Sequence, residues 1–126
     1  MIYRYTILYV ADVAQSLAFY NAAFGFPTGY LHAAGDYGAL VTGDTKLAFS
    51  FHALMAQLGK DLATTPPQRP SYDLAFETDD VAAALARACD AGAVLVTPVT
   101  QMPWGQTLAY VRAPEGTLIE LCTKVG

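Results

Sequence analysis

The order strand, helix, three strands runs twice along this chain, and that repetition restricts its architecture more than any other feature. Across residues 3–10 every second position is large, Tyr3, Tyr5, Ile7 and Tyr9, which predicts a strand with one aromatic face. Asp12 follows with a carboxylate able to cap a free helix N–H, and Gln15 stands at the capping-box position. Val13, Leu17, Tyr20 and Phe24 then recur at helical spacing as one apolar stripe. Gly25 suits the left-handed residue that closes a helix, and Pro27 prevents its continuation. Strands are expected next at residues 28–33, 37–42 and 46–52, with Gly35-Asp36 and Gly43-Asp44 at the turns.

The pattern then restarts. Residues 71–78 read as a strand, and Asp79-Asp80 as a helix start. Val81, Leu85, Ala88 and Cys89 form the stripe of a helix that Gly92 ends. Strands at residues 94–100, 107–113 and 117–123 complete the set, with Pro114-Glu115-Gly116 as the last turn. One offset relates Asp12-Val13 to Asp80-Val81 and Leu17 to Leu85, and Gly25 to Gly92 differs from it by a single residue. The chain therefore reads as α+β, with a βαβββ module at residues 1–52, a connecting segment at 53–70 and a second βαβββ module at 71–126. Within the connector, residues 53–62 suit a short helix, whereas Thr65-Pro66-Pro67-Gln68-Arg69-Pro70 excludes helix and central strand alike.

Composition narrows the class. At 126 residues the chain is the size of one domain. Its hydrophobic fraction of 54% against 14% charged residues excludes a disordered protein. A mean hydropathy of +0.31 leaves apolar surface in excess for so small a chain, which points to a homodimer. Seven scattered Lys and Arg and a net charge of −4 provide no basic stripe, so nucleic acid is excluded as a partner. No apolar run approaches the roughly 20 residues of a membrane helix, and no secretory leader pattern opens the sequence. Cys89 and Cys122 lie far apart with no CxxC, and read as reduced thiols of a cytoplasmic protein. No nucleophile elbow or phosphate-cradling glycine loop occurs.

Several segments together resemble the vicinal oxygen chelate superfamily, which includes glyoxalase I, extradiol dioxygenases, fosfomycin-resistance enzymes and bleomycin-resistance proteins. The first is Tyr5-Thr6-Ile7-Leu8-Tyr9-Val10-Ala11-Asp12 leading into Ser16-Leu17-Ala18-Phe19-Tyr20 and Phe24-Gly25-Phe26. The others are Pro103-Trp104-Gly105-Gln106 and Ala113-Pro114-Glu115-Gly116-Thr117-Leu118-Ile119-Glu120-Leu121. The resemblance covers nearly the whole chain. It implies curled mixed sheets around a cavity, and a homodimer. Metal-dependent relatives hold one divalent ion at four inward positions, which carry over to Tyr5, Ser50, Asp73 and Glu120. Glu120 fits that pattern, and Asp73 offers oxygen where imidazole is expected. Tyr5 and Ser50 are neutral hydroxyls and poor ligands. Strand alternation places His52 with Ala48 and Ser50, and Glu77 with Asp73 and Ala75. If a metal binds, its ligands would be Asp73 and Glu120 with His52 or Glu77. The expectation is no cofactor, with a divalent metal as the alternative.

Glu120 interrupts an apolar strand, and is either a cavity carboxylate or an acid paired with Arg4 or Arg112. Asp73 reads the same way near a strand start. Tyr5 is a candidate hydroxyl acid or donor, with Glu120 as its candidate catalytic partner. Tyr9, Phe51 and Tyr110 are candidate walls of a ligand site, and Ser50, His52 and Glu77 candidate polar contacts. Trp104, beside Pro103 and Gly105, suits a stacking platform for a flat ligand. The expected function is metal-independent binding of a small molecule, as in drug or metabolite sequestration by bleomycin-resistance proteins. The alternative is a divalent-metal-dependent lyase or isomerase of the glyoxalase kind, or a dioxygenase-like enzyme.

Overall fold

The computed structural model describes Met1 to Val125 and divides into two compact units, Met1–Thr65 and Pro66–Gly126. The first contains β1 (Tyr5–Val10), α1 (Val13–Phe24), β2 (Thr28–Leu31), β3 (Tyr37–Leu40), β4 (Lys46–Phe51) and α2 (His52–Gln57). The second contains β5 (Leu74–Glu77), α3 (Val81–Asp90), β6 (Val94–Gln101), β7 (Thr107–Arg112) and β8 (Leu118–Cys122). Each unit has one four-stranded mixed sheet, ordered β1-β4-β3-β2 in the first and β5-β8-β7-β6 in the second. In both, the first and last strands pair in parallel and the remaining pairs are antiparallel. The α+β reading of two βαβββ modules is the observed fold.

The helices start and stop as their end residues dictate. Asp12 accepts a hydrogen bond from Gln15 N at 2.9 Å, and Asp80 accepts one from Ala83 N at 3.0 Å. Each satisfies an N–H that has no partner within its helix. Gly25 closes α1 in the left-handed region at φ 75°, donating its N–H to Asn21 O at 3.0 Å.

Each helix buries its stripe against one face of its own sheet. Val13, Leu17 and Tyr20 of α1 are buried, as are Leu8, Val10, Leu40 and Phe49 of the sheet. The Tyr20 and Phe49 rings lie 5.0 Å apart between centroids. α1 passes so close to β3 that a Cβ on Gly38 would stand 2.8 Å from Leu17 Cδ1. In the second unit α3 contacts β6, β7 and β8, and buries Val81 and Ala88. Ala109, Val111, Ile119 and Leu121 form the buried sheet positions there.

Several strands are shorter than the sequence suggests. β1 begins at Tyr5, leaving Tyr3 exposed ahead of the sheet. The bonds His32 N to Tyr37 O and Gly35 N to His32 O, at 2.9 and 2.8 Å, turn the chain from residue 32, so β2 stops at Leu31. β4 stops at Phe51 because His52 opens α2, so the strand alternation expected to carry His52 does not reach it. β5 begins at Leu74, the first residue in register with β8, and Asp73 precedes it.

Candidate functional site

Because paired positions of adjacent strands share a face, the register fixes what the uncovered side of each sheet presents. In the second unit, Ala75 and Tyr110 are both level with Glu120, and Glu77 and Leu108 with Cys122. Arg112 is level with Leu118 on the same face. That face therefore carries Glu77, Tyr110 and Glu120, with Asp73 just before β5.

Glu120 is half-buried at the middle of this row, and its Oε2 accepts a hydrogen bond from the Tyr110 hydroxyl at 3.2 Å. Burial raises the Tyr110 pKa above its ordinary value, followed by the Glu120 charge, its hydrogen bond and the charge of Asp73. Tyr110 is thus held as a neutral hydroxyl donor. The Cys122 thiol is raised by burial first and then by Glu120, with Glu77 and Asp73 adding to it and a Gln106 hydrogen bond opposing it. A thiol kept protonated in this way is a poor nucleophile.

Arg112, the arginine of this unit offered by the sequence as a partner, is not ion-paired with Glu120 among the described residues. Arg112 instead donates to the backbone oxygens of Pro67 and Gln68, at 3.4 and 3.3 Å. His32 and Asp36 form an ion pair at 3.2 Å in the first unit. The second unit holds four Lys and Arg against seven Asp and Glu, and three of those acids, Asp73, Glu77 and Glu120, have no ion-paired cation among the described residues of the unit.

Trp104 stands 63% exposed at the β6–β7 hairpin, where Met102 N bonds Gln106 O at 2.8 Å. Its indole N–H donates to Gln106 Oε1 at 3.0 Å, and Gln106 Nε2 donates to Thr123 O at 2.9 Å. Gln106 is buried and also reaches Cys122, so it links the tryptophan to the strand bearing Glu120. Sequence reasoning quoted Gln106 within a motif and gave it no role. The signal was available, because an amide between Gly105 and an apolar strand needs partners once buried.

In the first unit, Tyr9 and Tyr37 are both level with Ser50, and Ile7 and Ala39 with Ala48. Tyr5 lies on the same face, level with Lys46. Ser50 is fully buried, and its Oγ has no hydrogen-bond partner among the described residues. Burial raises the Tyr37 pKa, with the Tyr5 phenol adding to it. Lys60 Nζ donates to Tyr9 Oη at 3.0 Å. Tyr37 and Lys60 were not among the sequence candidates. Phe51, level with Val10, alternates to the other side, and its ring stacks on His52 at 6.5 Å between centroids. The structure thus brings together Tyr5, Tyr9 and Ser50 in one unit, and Asp73, Glu77, Tyr110 and Glu120 in the other. Phe51 and His52 stand apart from both rows, at the β4–α2 junction.

The four positions that hold a divalent ion in metal-dependent relatives present two neutral hydroxyls and two carboxylates here. Tyr5 is half exposed, and Ser50 is a buried hydroxyl rather than an anionic donor. Among the described residues no three His, Cys, Asp or Glu side chains gather as a ligand group. This donor set does not fit a resident zinc or nickel ion, which needs several N, S or carboxylate ligands.

Residues 3–126 match the family described as the glyoxalase-like domain, so the chain belongs to that family and to the vicinal oxygen chelate superfamily. Solved structures share the fold. A glyoxalase-related enzyme from Fulvimarina pelagi is 23% identical, with a TM-score of 0.84 over 98% of this chain and 88% of the other. A glyoxalase/bleomycin resistance protein/dioxygenase family enzyme from Burkholderia phytofirmans PsJN is 21% identical, with a TM-score of 0.77 over 94% and 95%. A protein of unknown function from Agrobacterium tumefaciens str. C58 is 25% identical, with a TM-score of 0.80 over 99% and 95%. No curated protein matches the chain significantly in sequence. Among the described residues no helix is long and apolar enough to cross a membrane.

Proposed function

We propose that this protein binds a small organic molecule without a resident divalent metal, in the manner of drug- or metabolite-sequestering members of its superfamily. One observation carries the reading: Glu120, half-buried on its sheet face, is bonded to the neutral Tyr110 hydroxyl and has no ion-paired cation among the described residues of its unit. A carboxylate so placed attracts a cationic or hydroxyl-bearing ligand group, and Asp73 and Glu77 add charge of the same sign. The reading includes a homodimer in the cytoplasm. Its support is the apolar surface left exposed along edge strand β6 at Val94, Leu95, Val96 and Val99, and the two free thiols.

The test is equilibrium titration with proflavine, a planar aromatic cation, followed by calorimetry and by Trp104 fluorescence. Saturable binding is expected, weakened by added salt and by Glu120→Gln, and unchanged after dialysis against a chelator. Binding that disappears with chelation and returns with nickel or zinc would overturn the metal-independent reading. Binding unaltered in Glu120→Gln would remove the carboxylate from it. Sedimentation velocity tests the dimer directly.

A further inference from the structure

The face of the first sheet that carries Tyr9, Ser50 and Tyr37 has a character opposite to the acidic face of the second. Tyr9, Ser50 and Tyr37 stand in one row across β1, β4 and β3, and Ile7, Ala48 and Ala39 form the next row. Adjacent strands are about 4.8 Å apart, so the two phenols rise on either side of the short serine from backbones roughly 10 Å apart. The floor consists of small residues and the walls are aromatic.

Three observations give this slot a chemical preference. First, Ser50 Oγ is the one buried side-chain N or O atom without a hydrogen-bond partner among the described residues. Buried hydroxyls are ordinarily bonded, and this one is positioned to bond something the chain does not supply. Second, Lys60 Nζ donates to Tyr9 Oη at 3.0 Å and to Met55 Sδ at 3.2 Å, and lies 5.3 Å from the centre of the Tyr9 ring. It has no carboxylate within ion-pair distance among the described residues. Donation into the Tyr9 oxygen leaves the phenol hydrogen free and polarises it outward. Third, no Asp or Glu occupies the paired positions of β1, β3 and β4, and Lys46 lies at their end.

We propose that this slot binds the carboxylate of a small organic acid with a flat apolar tail. Ser50, Tyr9 and Tyr37 donate hydrogen bonds to the carboxylate oxygens. Lys60 supplies the compensating charge through Tyr9, as a positioning residue rather than a direct ligand. The tail lies along Ile7, Ala48 and Ala39. Entry requires Tyr9 or Tyr37, the phenols flanking Ser50, to swing aside, a rotamer change open to side chains that are only partly buried. The proposal rests on the reading of the protein as a small-molecule binder, but uses none of the residues that carry it.

The probes are benzoate and its neutral isostere benzamide, titrated by calorimetry, with proflavine in parallel. Benzoate is expected to bind saturably, and benzamide about tenfold more weakly, as charge-assisted hydrogen bonds are lost. Lys60→Met should weaken benzoate about tenfold and leave benzamide unchanged, whereas Tyr9→Phe should weaken benzoate about tenfold and benzamide by less. Ser50→Ala should weaken benzoate while raising the melting temperature, two effects that a purely structural serine would not combine. Equal affinity for benzoate and benzamide, or benzoate binding unaffected by Lys60→Met, overturns the proposal. Loss of benzoate binding with proflavine binding intact overturns this proposal alone, and absence of both overturns the broader reading as well.

Discussion

Replacing Ser50 with alanine should make the folded protein more stable, which is unusual for a fully buried position. The wild-type hydroxyl is sealed from solvent and unbonded, so folding strips it of water and returns nothing. That desolvation costs about 1–3 kcal/mol. Alanine removes the cost and leaves a gap of one oxygen atom, worth less than about 1 kcal/mol in lost packing. The net expectation is a gain of about 0.5–2 kcal/mol. For a chain of this length each kcal/mol moves Tm by roughly 3–5 °C, so a rise of several degrees is expected. Urea denaturation followed by far-UV circular dichroism reads the change as a higher midpoint at constant slope. A loss of stability would show that Ser50 Oγ has a bonded partner in solution, such as an ordered water.

Gly116→Ala should destabilise by about 2–4 kcal/mol, from positive-φ strain plus an overlap that cannot relax. Gly116 has φ 99°, and an added Cβ would fall on the Pro66 ring, 2.8 Å from its Cγ; an unchanged urea midpoint would refute this. Asp80→Ala should cost about 1 kcal/mol by removing the cap on Ala83 N, measurable in the same assay, whereas Asp80→Asn should retain most of it. Tyr37, Tyr110 and Cys122 all have raised folded-state values, so the proton binds the folded form more tightly. Their contribution is fully present below the ordinary values, 10.0 for the tyrosines and 9.0 for the cysteine, and is lost as pH rises through the raised values. Stability measured between neutral pH and pH 11 should therefore fall at the alkaline end, with the fall reduced in Tyr110→Phe.

The repeat of elements was legible because each helix begins at a capping aspartate and presents its stripe at helical spacing, and both signals are local. Strand ends were less legible. Asp73 looked like part of a strand, yet pairing starts at Leu74, a fact set by β8 far along the chain. His52 fits an alternating pattern with Ser50, but β4 gives way to α2 at that residue. The acidic row was half visible, since Glu120 stands out in an apolar strand while its Tyr110 partner is fixed only by the β7–β8 register. Tyr37 and Lys60 were missed for the same reason. Their roles depend on neighbours brought close by pairing and by the turn after α2, neither of which sequence spacing encodes.

The parallel pairing of first and last strands has a consequence for synthesis. Among the described residues β1 pairs only with β4, with Tyr5 opposite Lys46, and β5 only with β8, with Leu74 opposite Ile119. On the ribosome the N-terminal strand of each unit therefore waits, unpaired, until almost the whole unit has emerged. Closing so long a loop is entropically costly and slow. The first unit can finish while the second is still being made, and the second closes only once β8 has emerged. Truncation within β8 should thus leave the first sheet intact and strand β5 with an open edge, a species prone to aggregation.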